Sequence, residues 1–464
     1  MITTDQTTAL YHQLTANFDA SAIQFGDQIT ADWGHDELGT VAHLPDIVVT
    51  PKTTAEVATL AKLASAAKVP MTTRGSGTGL VGGCVPTEGG LLIDMSAMDQ
   101  IIALDENNLS LTVQTGAQLK SVADYAAEKG FLYAPDPGEK TATIGGNIAT
   151  NAGGMRAVKY GVTRESVRAL TVVTVDGQVL HLGGQIVKNS SGFDLKDLYI
   201  GSEGTLGIVT EAVLKISPLP KYSTGLLIPF DDFDSALTTV PKILQSGITP
   251  TAVEFFEADT VKYWEAFKKQ DFPQAGAAAY LLMTLDGQHE EVVEQDYETL
   301  AELCLDNGAT DAYVLDTPEL KETVWKARDA FLEAIQASTT TMDEADAVVP
   351  RDQTAEFVAF THHLAEQQNV RIPGFGHVGD GNLHLYVCQD DYSDTEWPAK
   401  LKTVFEALYA KASELGGKVS GEHGIGYVKR PYLQSTSDSA EMATMRRVKA
   451  ALDPDNLLNP DKIV

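Results

Sequence analysis

Apolar residues along the first part of the chain recur in two rhythms. Val57, Leu60, Ala64 and Ala67 lie at helical spacing behind Thr53-Thr54-Ala55-Glu56, a capping box, so a helix is expected there. Short apolar or alternating runs at 69–73, 91–94 and 109–115 read as strands, and 117–129 reads as a helix. Runs at 169–175 and 178–182 flank Asp176-Gly177 as a hairpin. A strand over 207–216 ends at Pro218-Leu219-Pro220, where a domain boundary is expected. Residues 1–40 read as an N-terminal helical arm and loop, and 41–220 as a first domain.

Beyond the proline pair the order becomes strand, helix, strand. Runs at 225–229, 232–246 and 252–256 form one such unit, and 277–285, 290–307 and 311–315 form a second. Two βαβ-like units in succession predict a ferredoxin-like antiparallel sheet with helices on one face. Helices are expected at 318–337, 353–369 and about 395–415. Residues 221–415 are read as a substrate or cap domain. Residues 416–464 are read as a segment returning to the first domain, ending in the turn-rich run Leu452 to Pro460. The class is α+β, without internal repeats or low-complexity tracts.

Composition changes this picture little. The chain has 464 residues, enough for two or three domains, with 43% hydrophobic and 21% charged content, so it is a folded protein. A net charge of −30 argues against nucleic acid and anionic membrane as partners. Cys84, Cys304 and Cys388 are few and widely spaced, which suits reduced, packed thiols and a cytoplasmic location. No secretory leader and no membrane-spanning run is read in the sequence.

The chemistry concentrates in glycine-rich turns. In His377-Val378-Gly379-Asp380-Gly381-Asn382-Leu383-His384, a two-residue turn at Asp380-Gly381 would set His377 directly opposite His384. Two imidazoles so close suit a divalent metal. A third candidate ligand stands in Gly421-Glu422-His423-Gly424-Ile425-Gly426.

The first domain carries Arg74-Gly75-Ser76-Gly77-Thr78-Gly79-Leu80-Val81-Gly82-Gly83. Backbone amides at such a run converge on an anion without Cβ interference, and Arg74 adds charge. Gly77–Gly82 also fits the GxGxxG pattern of a Rossmann turn, but that turn must open a helix, and Cys84-Val85-Pro86-Thr87-Glu88-Gly89-Gly90 cannot be one. Further glycine-dense turns follow: Pro135-Asp136-Pro137-Gly138, Ile144-Gly145-Gly146-Asn147, Asn151-Ala152-Gly153-Gly154 and Gly201-Ser202-Glu203-Gly204-Thr205-Leu206-Gly207. Together they predict a long backbone-lined groove for an extended dinucleotide. Asn147 and Asn151 would offer side-chain hydrogen bonds to its rings.

Arg74–Gly83, Asn151–Gly154 with Arg156 and Lys159-Tyr160-Gly161, and Gly201–Gly207 resemble the FAD-binding domain of the vanillyl-alcohol oxidase / p-cresol methylhydroxylase superfamily. The second half, with His377–His384 and Gly421–Gly426, resembles the FAD-linked oxidase C-terminal domain. Over roughly residues 40–464 the chain is similar to FAD-dependent D-2-hydroxyacid dehydrogenases of the D-lactate dehydrogenase and glycolate oxidase D subunit type. The implied fold is a two-subdomain FAD-binding domain of p-cresol methylhydroxylase type plus a cap.

The resemblance implies further roles. Where the superfamily often carries its flavin covalently on histidine, this chain has Thr78, so FAD is expected to be noncovalent. His377 and His384 match the family's paired metal ligands and Glu422 the third. Zinc suits that set, with iron and manganese as alternatives. His423 matches the general base, and an imidazole titrating near neutrality suits the task. Arg328 lies on the helix that carries the arginine for the substrate carboxylate. Hydroxyglutarate enzymes place a threonine and a lysine where this chain has Leu332 and Glu344, which favours a small acid such as D-lactate or glycolate. A D-2-hydroxyglutarate-type dehydrogenase, the FAD subunit of a multi-subunit glycolate oxidase, and a flavin-binding protein without catalysis are the rivals. The electron acceptor stays open among quinone, an electron-transfer flavoprotein, a partner subunit and oxygen, and a homodimer is also open.

Overall fold

The computed structural model describes residues 3–464. Chain contacts divide it into two units. The first comprises the described residues up to Gly153, then Gly161–Leu219 and Glu422–Val464; the second comprises Gly154–Tyr160 and Pro220–Gly421. Gly154–Tyr160 thus leaves the span expected for the first domain. It is held in the second unit by Asp286, whose carboxylate accepts from Lys159 Nζ and from Tyr160 Oη at 3.0 Å. Residues 416–421 also join the second unit, because Lys418 pairs with Val348 beside its sheet.

The first unit has three sheets, the smallest being the two-stranded pair Phe131–Leu132 and Ser217–Pro218. In one, strands run in the order Ile23–Phe25, Ile47–Val49, Leu91–Asp94, Met71–Arg74. The last three are mutually parallel, and Ile23–Phe25 is an antiparallel edge within the stretch expected to be loop. Helix Thr54–Ala67 covers this sheet through Val57, Leu60, Ala61 and Ala64. Its first turn is capped as the sequence predicts on one side, with Thr53 Oγ1 accepting from Glu56 N–H at 3.2 Å. Glu56, however, accepts from Lys52 N–H. The second sheet is antiparallel, in the order Ile101–Asp105, Ser110–Gln114, Ile208–Lys215, Val167–Val173, Val179–Gly183. The Asp176-Gly177 hairpin lies at its edge.

The second unit is built on one seven-stranded antiparallel sheet. Its order is Tyr313–Val314, Tyr222–Phe230, Ala279–Gly287, Ala252–Glu257, Gly374–His377, Asn382–Cys388, Met342–Val348. Opposed residues share a face, so the register defines one row across the last four strands. Phe256 opposes Phe375, Phe375 opposes His384, and His384 opposes Asp346. Glu254, His377, Asn382, Tyr386 and Glu344 follow at alternate positions on that face. Phe256, Phe375 and Tyr386 pack there against Phe331, Val324 and Ala327. The helix expected over 318–337 is two helices, Pro318–Asp329 and Phe331–Ala337, separated at Ala330. The break lets Arg328 and Phe331 both bear on Phe375. Among the described residues no helix is long and apolar enough to cross a membrane.

Candidate active site

In the second unit the hairpin register differs from the one read in the sequence. His377 opposes Asn382, not His384, and the connection is the four-residue loop 378–381. Two contacts fix it. Gly379 N–H donates to Val253 O at 3.2 Å, drawing the loop to the neighbouring strand. Gly381, at φ +86°, packs so closely that a Cβ there would lie 2.0 Å from Val349 O. The imidazoles still meet, as diagonal neighbours on one face. Their ring centroids are 5.2 Å apart and the planes cross at 86°.

Each ring is braced by a carboxylate. His377 Nδ1 lies 2.7 Å from Glu254 Oε1, and His384 Nδ1 lies 2.8 Å from Glu344 Oε1. An Nδ1–H held by a carboxylate puts the imidazole lone pair on Nε2 and fixes the ring plane, which is how metal-binding histidines are oriented. Glu344 therefore has a local partner, which the sequence reading, treating it only as a repellent of a distal carboxylate, missed. Glu254 was missed altogether; the available signal was a single acid inside the apolar run Ala252-Val253-Glu254-Phe255-Phe256. It is fully buried. Burial pushes its carboxyl pKa up, but the charges of His377 and Arg328 outweigh that and hold it at about 2.

Arg328 reaches this face from helix Pro318–Asp329. Its Nε and Nη2 lie 2.7 and 2.6 Å from Glu254 Oε2, and its guanidinium stacks 4.7 Å from the Phe375 ring centre. At the edge strand, buried Asp346 accepts from Asn382 Nδ2 at 2.7 Å, Ser420 Oγ at 2.8 Å and the Gly421 N–H at 3.2 Å. The chain leading to Glu422 is thereby anchored up to its preceding residue.

In the first unit the glycine loops do gather. Residues 75–90 contain no helix, so the Rossmann pattern is a coincidence of spacing. Arg74 Nη1 donates to His35 O at 2.7 Å, and Gly77 leaves room for that guanidinium: a Cβ there would lie 2.1 Å from Nη2. Ser76 Oγ donates to Thr141 O at 2.6 Å, and a Cβ on Gly75 would fall 2.2 Å from Thr143 Oγ1. The turn expected at Ile144-Gly145-Gly146-Asn147 is instead the start of a short helix, Ile144–Thr150. Thr143 Oγ1 caps it by accepting the Gly146 N–H at 3.1 Å, and Gly145 lets it settle on Thr115. Asn147 is buried on this helix, and its side-chain NH2 has no hydrogen-bond partner among the described residues. A buried donor left so is costly, and it fits a cofactor acceptor group at that place. Asn151 closes the helix in a left-handed conformation and turns its Oδ1 to Arg164 N–H at 3.0 Å.

The remaining loops are set beside these. Pro135 is buried, and Asp136 pairs with Lys140. Gly201 and Gly204 take positive φ, Thr205 Oγ1 donates to Ser202 O at 2.7 Å, and Gly207 packs under Tyr199. Gly82 N–H donates to Asp36 Oδ2 at 2.6 Å. A Cβ on Gly153 would lie 2.9 Å from Glu422 Oε2, so the Glu422-His423 loop packs directly on the Asn151–Gly153 turn. His423 Nε2 stands 3.7 Å from Glu422 Oε1. Of the expected cofactor residues only Gly154 falls in the second unit, and Asp36 Oδ2 would lie 3.7 Å from a Cβ on Gly79.

A first unit of sheets with converging glycine turns, and in the second unit a sheet face carrying braced histidines, define a flavoenzyme of the p-cresol methylhydroxylase fold type. The chain belongs to the FAD-linked oxidases: residues 45–183 match the FAD binding domain and residues 219–463 the FAD linked oxidase C-terminal domain. It is 45% identical over 444 residues to a D-lactate dehydrogenase of Anaerostipes hadrus, covering 94% of each chain. It is 39% identical over 432 residues to the glycolate oxidase subunit GlcD of Bacillus subtilis (strain 168), covering 93% of this chain and 91% of that one. The solved structure of p-cresol methylhydroxylase with substrate bound superposes with a TM-score of 0.82, covering 100% of this chain and 97% of that one, at 16% identity. The last likeness concerns the fold alone.

Proposed function

We propose that this FAD-linked oxidoreductase converts a small D-2-hydroxy acid, D-lactate or glycolate, to the 2-oxo acid with metal assistance. The observation that carries this is the pair His377 and His384, each held at Nδ1 by its own carboxylate, with Arg328 on the same sheet face. The names of the relatives support the substrate class.

The first unit would hold FAD noncovalently along Arg74–Gly82, Asn147 and the Gly201–Gly207 turn. His377, His384 and Glu422 would hold the metal, with zinc the ion that suits two imidazoles and a carboxylate. When bound, FAD supplies an acceptor for the hydride from the substrate Cα, and the metal a Lewis acid that makes the hydroxyl more acidic. Arg328 orients the substrate carboxylate through Nη1, the edge not turned to Glu254. His423 takes the hydroxyl proton as general base. The substrate thereby loses one proton and one hydride, that is two electrons and two hydrogens, and nothing else.

The likeness to a glycolate oxidase subunit favours a second reading, in which turnover requires partner chains. Anaerobic titration of the purified flavoprotein with D-lactate tests both. Bleaching of the flavin absorbance by the D and not the L isomer is expected. Bleaching without turnover on an artificial acceptor favours the subunit reading, and no bleaching by D-lactate or glycolate overturns the proposal.

A further inference from the structure

The carboxylate of Glu254 is shared between two different elements. Oε1 meets His377 Nδ1 at 2.7 Å, and Oε2 meets Arg328 Nε and Nη2 at 2.7 and 2.6 Å. We propose that Glu254 is a positioning residue that couples the metal ligand His377 to the anion anchor Arg328, so that metal binding and carboxylate recognition are thermodynamically linked. The inference rests on the ligand and anchor roles given above and adds the connection between them.

Three features carry it. Glu254 is completely buried, on the central Ala252–Glu257 strand, where both partners are needed to offset removal of its charge from water. A pair serving stability alone needs one cation and one acceptor, yet here each oxygen has its own partner. Phe375 joins the two halves again: its ring stacks on the Arg328 guanidinium, and it stands two residues before His377 on one strand. Glu344 braces His384 from the edge strand, so each imidazole has a carboxylate, but Glu254 is the one that also takes Arg328. A shift of either partner must be felt by the other, because one rigid carboxylate sits between them.

The test is a double-mutant cycle on the full-length, FAD-loaded protein, read as Zn2+ affinity by competition with a chromophoric chelator. Glu254→Gln is expected to weaken Zn2+ binding about 10- to 100-fold, the range for loss of a ligand-orienting carboxylate, with flavin content kept. It should also raise KM for D-lactate. Arg328→Met is expected to change Zn2+ affinity by about threefold or more while Glu254 is present and to leave it unchanged in the Glu254→Gln background. Unchanged Zn2+ affinity in Glu254→Gln, or an equal effect of Arg328→Met in both backgrounds, overturns the proposal. Should Glu254→Gln fail to fold, Arg328→Met alone decides: no change in Zn2+ affinity overturns it. The metal readout uses no substrate, so a coupling that fails in a Zn2+-binding protein that D-lactate bleaches is told apart from a protein that D-lactate does not bleach.

Discussion

The carboxylate of Glu203 accepts the Gly426 N–H at 2.7 Å, while its other oxygen accepts that of Ile425 at 2.7 Å. One acid in the Gly201–Gly207 turn thus holds the loop that carries Glu422 and His423. Burial, working against these two donors, pushes the Glu203 carboxyl from its ordinary 4.5 up to about 7. A carboxyl more basic in the folded than in the unfolded chain adds stability that is complete below about 4.5 and disappears as pH rises through about 7. The melting temperature should therefore carry a falling component between those values that Glu203→Gln lacks. The variant also sets an NH2 against one backbone N–H, so it should be less stable at every pH, by about 1–3 kcal/mol. Thermal melts of both proteins at pH 5 and 8 measure the two effects; a parallel pH dependence contradicts the first.

The resemblance to hydroxyglutarate enzymes implies that replacing Glu344 by lysine admits a second substrate carboxylate. The hydrogen bond to His384 Nδ1 changes that expectation. Glu344→Lys removes the brace and sets a cation beside an imidazole, so kcat/KM should fall about tenfold or more for D-lactate. D-2-hydroxyglutarate should gain nothing. Parallel kinetics on the two acids check this, and a gain on the dicarboxylate would restore the simpler view.

Asn147 tests the flavin groove. Its buried NH2 has no partner among the described residues, so Asn147→Ala should cost the FAD-free protein little. If the amide serves the cofactor, FAD affinity should weaken about tenfold, the equivalent of one hydrogen bond made inside a protein. Fluorescence titration of the FAD-free protein measures the affinity and a melt measures the stability. An equal loss in both assigns Asn147 to packing.

Legibility in the sequence followed the range of the interactions. Strand positions and the Thr53 cap were readable because spacing and capping are local. The Ile144–Thr150 helix was not, because its glycines look like a turn until Thr115 is seen lying against Gly145. The His377–His384 register failed for a similar reason: Gly381 is demanded by the approach of Val349 O, not by a two-residue turn. The proximity of the two histidines survived that error, because a slip of the pairing that keeps both on one face keeps them neighbours. Glu254 could not be assigned from spacing at all. Its partners lie 74 and 123 residues away along the chain.

The last few residues have a consequence for how the protein is made. Leu457 and Leu458 are buried in the core that holds Met71, Ile47 and Leu60, and Asn459 Nδ2 donates to Gly83 O and Glu203 O at 2.8 and 2.7 Å. These contacts are closures of high contact order, Asn459 and Gly83 lying 376 residues apart. A ribosome therefore delivers every residue of the second unit before the first can seal its core. The half built to receive the dinucleotide begins its synthesis first and finishes folding last, and a release only a few residues short of Asn459 would leave its glycine turns unlatched.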